Sequence, residues 1–101
     1  MASRLELQSK LEELLESSNV YYQPPASIQM KYDAIRYSKK DFWRTVANGK
    51  TYSKLRCYEL VVISRRPDHE VIDKLLDLPY CSFDRSYVAD NLYHDVFTLY
   101  Y

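Results

Sequence analysis

Glycine is almost absent from the sequence, with Gly49 the single example among 101 residues. Phosphate-binding loops need several glycines close together, so that class of nucleotide site is excluded, as are Gly-rich linkers. No apolar run approaches the roughly 20 residues of a membrane-spanning helix. The two cysteines, Cys57 and Cys81, lack CxxC spacing, and the N-terminal residues are polar and unlike a signal peptide. We therefore expect free thiols in a reducing cytoplasm.

The chain also lacks a net charge, because fourteen basic residues balance fourteen acidic ones. Dedicated nucleic-acid-binding domains usually have a basic excess, so the balance argues against that class. The charges are nevertheless unevenly placed: residues 31–56 contain eight basic and two acidic residues, and residues 68–84 contain five acidic and one basic. The two segments are either complementary surfaces of neighbouring copies or ordinary solvated faces.

Apolar and aromatic residues, in contrast, are plentiful. Hydrophobic residues make up 47% of the chain, which is typical of a folded domain and not of a disordered one. Eleven tyrosines, three phenylalanines and one tryptophan give an aromatic content of 15%. Tyrosine is common on surfaces that contact other proteins, and it is equally common on β-strands. Composition alone favours neither interpretation.

Hydrophobic periodicity predicts one α+β domain over residues 1–101, with a mainly antiparallel sheet and two helices packed on it. The predicted order is α-β-β-β-α-β-β. The predicted segments are an N-terminal helix at about 3–17, a sheet with an extended hairpin at about 31–65, a second helix at about 68–77 and a C-terminal hairpin at about 81–101.

Local signals refine this prediction. Ser3 and Glu6 fit a helix capping box, and Asn48-Gly49 is a strong turn signal that places a hairpin tip. Residues 60–63 are apolar on both faces, which predicts a central strand. In the C-terminal hairpin, strict alternation predicts that one face of the first strand carries Cys81, Phe83, Arg85 and Tyr87.

The strongest polar constellation is in the C-terminal hairpin, where we expect Asp84, Arg85, His94 and Asp95 to form a structural network. The same Asp-Arg-His group is a candidate for acid–base or phosphodiester chemistry. No nucleophile pair, oxyanion loop or glycine turn accompanies it, so we expect no enzymatic activity.

Two further kinds of site are possible from residue types alone. Cys57, Cys81, His69 and His94 are suitable zinc ligands but lack paired spacing, so we expect neither a metal nor another cofactor. Nucleic-acid binding is the other alternative, because the basic segment interleaves its cations with Tyr37, Phe42, Trp43 and Tyr52.

Three segments of the chain resemble a known family. Residues 78–101 (LPYCSFDRSYVADNLYHDVFTLYY) and residues 19–25 (NVYYQPP) are similar to small tail-completion proteins of siphoviruses that infect Gram-positive hosts. Residues 58–66 with Pro67-Asp68 fit the middle of that family, whereas residues 31–52 depart from it most. These proteins are tail terminators, also called tail-to-head joining or minor structural proteins.

The resemblance implies a structural protein of the virion, assembled in the host cytoplasm. It implies a ring, usually a hexamer, which ends growth of the tail tube and joins the tail to the head connector or stopper. DNA would pass through the lumen without sequence readout, and no membrane is involved. Another neck or minor capsid component of the same fold remains an alternative. The candidate interface residues are Lys39, Lys40, Arg44, Phe97 and Tyr100.

Overall fold

Residues 4–25, 27–47 and 50–101 are described by a computed structural model, with the backbone alone for 41–47 and 50–55. The predicted α+β class and element order are confirmed. Within the described residues, no helix has the length and apolar character needed to span a membrane. The elements are α1 (Arg4–Leu15), β1 (Val20–Tyr22), β2 (Ala34–Ala47), β3 (Lys50–Ser64), α2 (Val71–Leu76), β4 (Cys81–Ala89) and β5 (Leu92–Tyr100).

The five strands form one sheet in the order β1-β2-β3-β5-β4. β1 is parallel to β2, and the other three pairings are antiparallel. β3 lies in the middle because residues 57, 58 and 60–64 are buried on both faces of the sheet. The central strand predicted from residues 60–63 is therefore confirmed.

Both helices cover the same face of the sheet. In α1, Leu7, Leu11 and Leu15 are spaced by four residues, so they form one buried stripe. They pack with Val71 and Leu75 of α2 and with the apolar side chains of the sheet beneath. A smaller cluster of Val61, Ile63 and Val96 lies on the opposite face, where Met30 and Tyr32 partly cover it.

Helix α1 ends two residues earlier than predicted. Glu16 has a φ of 59°, which is left-handed and stops the helix after Leu15. The N–H of Ser17 donates to the Glu12 carbonyl and that of Glu16 donates to the Glu13 carbonyl, each at 3.2 Å, which is a Schellman closure. Ser3 of the predicted capping box lies outside the described residues.

Helix α2 is shorter than predicted, since it begins at Val71 and not at residue 68. The His69 side chain organises the first turn. Its Nδ1 atom accepts the N–H of Val71 at 3.1 Å, and its carbonyl accepts the N–H of Ile72 at 3.1 Å. Pro67 and Asp68 therefore belong to the preceding connection.

β2 and β3 continue well beyond the rest of the sheet. Pairing of β3 with β5 begins at Cys57, whereas pairing of β2 with β3 extends to Ala47 and Lys50. Residues 41–47 and 50–55, here called the hairpin arm, therefore form a two-stranded extension. A register shift between Lys39 and Asp41 marks the base of the arm. The predicted tip at Asn48-Gly49 lies outside the described residues.

The C-terminal hairpin corrects the predicted alternation of β4. A bulge at Asp84 shifts the register, so Phe83 pairs with Phe97 and Arg85 pairs with Val96. Because neighbouring residues of β5 face opposite sides, Phe83 and Arg85 lie on different faces of the sheet. A bulge inserts one residue into the strand, and the alternation of side chains along β4 gives no sign of that extra residue. Alternation alone therefore could not place Phe83 and Arg85 on different faces. Asp90 and Asn91, both with positive φ, form the two-residue turn.

Candidate functional site

Two chemically different surfaces lie at opposite ends of β3. This strand has 15 residues, which at about 3.3 Å per residue gives a length of about 50 Å. The hairpin arm lies at the start of the strand. The end of the strand, at Ser64, is paired with Tyr93, next to the turn between β4 and β5. The two surfaces are therefore separated along the long axis of the molecule.

The arm end is basic. Residues 39–56 contain six basic residues and one acidic residue, Asp41. Lys39 and Lys40 at the base of the arm are exposed, in keeping with their choice as candidate interface residues. The side chain of Arg44, the third basic candidate, lies outside the described residues.

A shallow depression lies beside Lys39 at the base of the arm. Its lining includes three cationic side chains, from Arg4, Lys39 and Arg56, together with Tyr22 and Tyr58. The Arg4 guanidinium lies 4.5 Å from the centre of the Tyr22 ring, which holds it at the surface by a cation–π contact. This depression suits an anionic group.

The opposite end contains a cleft beside His94, between the connection before α2 and the β4–β5 hairpin. The His94 ring stacks on Tyr87, with ring centres 4.7 Å apart and planes 14° apart. Its Nδ1 atom lies 3.0 Å from the Leu92 carbonyl, which can only accept, so Nδ1 carries the proton. The residues that line this cleft are Pro67, Asp68, Ser86, Tyr87, Val88, Tyr93, His94 and Asp95.

The electrostatics of this cleft favour a cation. Partial burial raises the pKa of the Asp95 carboxyl, and the nearby Asp68 carboxylate raises it further. A positively charged group between these two carboxylates would relieve the repulsion between them. Tyr93, which is two residues from Asp95 on β5 and so shares its face of the sheet, adds an aromatic ring that attracts a lysine or an arginine side chain.

The predicted network of Asp84, Arg85, His94 and Asp95 is divided. The Arg85 guanidinium donates to Asp84 at 2.8 Å, and both side chains are exposed. Among the described residues, Arg85 makes no hydrogen bond or ion pair with His94 or Asp95. In the register, Arg85 is paired with Val96 and His94 with Tyr87, so Arg85 is diagonal to His94, and its guanidinium turns to its neighbour Asp84. The expectation that Arg85 and His94 share a carboxylate is corrected.

The two candidate interface residues of β5 lie on opposite faces of the sheet and differ in burial. Phe97 is 0% exposed and packs in the core beneath the helices, where Phe83 meets its ring edge-on with centres 5.5 Å apart. A neighbouring copy cannot reach Phe97 without unpacking the domain, so this part of the candidate interface is corrected. Tyr100 is on the opposite face, and 37% of it is exposed.

The four zinc-type residues are not assembled into one site. Cys57 and Cys81 are both free, and their partners Tyr100 and Leu99 lie on opposite faces of β5. His94 lies toward the other end of β5, and His69 precedes α2. In the part of the chain that the structure describes, no three His, Cys, Asp or Glu side chains are grouped to hold a metal ion.

Two polar contacts in the interior were missed by sequence reasoning. The Tyr37 hydroxyl donates to Oε1 of Gln8, and the Gln8 amide donates to the Val20 carbonyl at 2.9 Å. His69 approaches Asp33 with 3.4 Å between Nε2 and Oδ2. The position of Gln8 beside the leucine stripe of α1 was a signal for the first contact. No pattern pointed to the second, which joins residues 36 positions apart.

Comparison with known proteins gives neither a matching family model nor a matching curated protein. The similarity of residues 19–25 and 78–101 to tail-completion proteins therefore stays a prediction.

Proposed function

We propose that this chain is a structural phage protein that forms a hexameric ring at the head-proximal end of the tail tube. In this role it ends tube growth and joins the tail to the head connector or stopper. The proposal starts from the resemblance of residues 19–25 and 78–101 to tail-completion proteins. The observation that carries it is the separation of a basic arm end from an acidic cleft along β3.

A ring of identical chains needs two different surfaces on each copy, because its interface is heterologous. The arm end carries an excess of lysine and arginine, and the cleft at the other end carries Asp68 and Asp95. The arm end of one copy therefore complements the cleft of the next. Opposite charge also speeds association and disfavours wrong pairings.

The hairpin arm has a second use in this proposal. A two-stranded extension past the sheet reaches beyond the protomer, toward the tail tube on one side or the connector on the other. Its cations also suit the wall of a channel through which DNA passes, since phosphate contacts need no sequence readout. Another neck or minor capsid component would use the same surfaces with different neighbours.

The experiment is light scattering after gel filtration, on the chain alone and with polymerised tail tubes. A closed oligomer, or binding confined to one tube end, is the expected result. Replacing Lys39, Lys40 and Arg44 with glutamate should weaken joining to tube or connector. The control is a Lys10→Glu/Lys31→Glu variant, which reverses charge away from the arm. Normal joining of heads and tails by the arm variant would contradict the proposed docking surface.

Nucleic-acid binding is the second candidate, favoured by the three cations of the depression formed by Arg4, Lys39 and Arg56. This function predicts affinity for DNA that falls steeply as salt rises, since each phosphate contact releases a counterion. Fluorescence anisotropy with a labelled duplex at several salt concentrations would measure it. Binding that is absent at low salt would remove this candidate and leave the ring untouched.

A further inference from the structure

The outer edge of β4 is an open pairing surface. β4 is the last strand of the sheet, and no strand among the described residues pairs with its outer side. Residues 82–88 are all exposed, including two large apolar side chains, Phe83 at 48% and Val88 at 63%. An uncovered edge of this length is a template for another strand.

Hydrogen bonds of β5 determine which groups of β4 face outward. Tyr101 exchanges both backbone hydrogen bonds with Arg56 of β3, at 2.9 and 3.2 Å, and the N–H of Tyr100 donates to Tyr80 at 3.1 Å. Odd-numbered residues of β5 therefore bond to β3, and even-numbered residues bond to the β4 side. The β4 residues paired with even-numbered residues of β5 are Ser82, Arg85, Tyr87 and Ala89.

The remaining residues of β4 direct their N–H and C=O groups to the open edge. Two of them, Cys81 and Phe83, precede the bulge, and two, Ser86 and Val88, follow it. The bulge places two inward residues, Asp84 and Arg85, between them. The outward residues are therefore placed symmetrically on the two sides of the Asp84–Arg85 peptide. In a regular strand the outward residues alternate with inward ones, so they are never symmetric about a peptide bond.

We propose that β4 pairs antiparallel with β4 of a second copy, about a two-fold axis at the Asp84–Arg85 peptide. In this register each outward residue meets an outward residue: Phe83 lies opposite Ser86 of the second copy, and Cys81 lies opposite Val88. Asp84 of each copy then lies opposite Arg85 of the other. The two crossed ion pairs make the edge complementary to itself.

The bulge selects the partner. A bulge normally discourages pairing at an edge, because it displaces the outward groups of a regular strand from register. Only a strand with a bulge at the matching point restores four outward pairs, two on each side of the axis, and β4 of a second copy is such a strand. This contact is isologous, so it is distinct from the heterologous contact that a ring needs and does not rest on the proposed function.

Sedimentation equilibrium of the full chain tests the pairing, with a concentration-dependent dimer as the expected result. Asp84→Arg places four cations at the axis and should weaken dimerisation about tenfold. The double variant Asp84→Arg/Arg85→Asp restores opposite charges across the axis and should recover the dimer. Circular dichroism checks that each variant is folded. A monomer at all concentrations, or a dimer that ignores the single variant, would overturn the proposal.

Proline substitution tests the backbone pairing separately. Ser86→Pro removes an outward N–H that makes no bond to β5, so the hairpin keeps its internal ladder and the dimer should be lost. Lys10→Glu, on α1, is the control that should leave the dimer unchanged. If Ser86→Pro is folded and still dimeric, the edge is not the interface. Ser86 also lines the cleft beside His94, so the separation from the proposed function rests on Asp84→Arg, which lies outside that lining. A ring that forms normally with Asp84→Arg would leave the proposed function standing.

Discussion

Nε2 of His69 lies 3.4 Å from Oδ2 of Asp33, which joins the start of α2 to the segment before β2. Nδ1 of the same ring accepts the N–H of Val71, so that nitrogen is unprotonated and Nε2 carries the hydrogen. The ring is 9% exposed. A neutral imidazole thus bridges two segments, and Asp33 in turn accepts the N–H of Arg65 at 2.9 Å.

His69→Ala should lower the free energy of unfolding by about 1–3 kcal/mol, because the N–H of Val71 loses its acceptor in a buried place. Urea denaturation at pH 7 measures the effect. His94→Ala is the control, since that ring is only partly buried and caps no helix. Equal stability of the His69 variant and the parent would show that the bridge does not stabilise the fold.

Tyr37→Phe should cost about 1 kcal/mol at neutral pH, because the hydroxyl donates to Gln8 and accepts from Arg4 at 3.3 Å. The substitution should weaken the contact of α1 with β1 and β2, because Gln8 of α1 bonds both Tyr37 of β2 and the Val20 carbonyl of β1. Thermal or urea unfolding checks this value. Tyr80→Phe, on a ring that is 71% exposed, serves as the control and should change little.

The same residue gives a pH dependence. Burial raises the pKa of the Tyr37 phenol above its ordinary value, so the folded state holds this proton when the unfolded state has lost it. The stability from this effect is present below about pH 10 and is lost as pH rises above it. Between about pH 10 and pH 11 the parent should therefore lose stability more steeply than Tyr37→Phe. Parallel curves for the two proteins would contradict this.

Replacement of Arg85 with alanine should change stability by less than about 0.5 kcal/mol. Its partner is its neighbour Asp84, and the two side chains are 56% and 41% exposed, so water screens the pair. Phe97→Ala should cost about 3–5 kcal/mol, because the ring fills the core. Urea midpoints of the two variants would separate the predictions. A large loss with Arg85→Ala would mean that the bulge depends on this pair.

The element order was predictable because its signals are local. The leucines of α1 repeat at helical spacing, residues 60–63 are apolar on both faces, and Asp90-Asn91 favours a two-residue turn. Each signal lies within one segment of the chain. The early end of α1 was not predictable, because the left-handed residue that ends it is Glu16, whereas glycine usually occupies this position.

The candidate site was less predictable because it depends on pairing between segments. Phe97 and Tyr100 are equally suitable for burial by sequence, and only the placement of both helices on one face buries Phe97. The expected network of Arg85 and His94 required a shared carboxylate, and the sequence gives no sign that Arg85 bonds its own neighbour Asp84 instead. The basic segment at residues 31–56 was recognised, but its opposition to the cleft at Asp68 and Asp95 follows from the topology.

The Cys81 thiol should react slowly with alkylating reagents in the folded protein. Burial raises its pKa to about 11 from 9.0, which lowers the reactive thiolate fraction at pH 8 by about a hundredfold. Iodoacetamide labelling with peptide mass spectrometry measures the rate. The labelling rate of the same peptide in about 8 M urea, which unfolds the chain, is the reference. Because only the thiolate attacks, the folded rate should rise with pH up to about pH 11, whereas the unfolded rate should level off above about pH 9. Equal folded and unfolded rates at pH 8 would mean that the thiol at the start of β4 is not shielded from water.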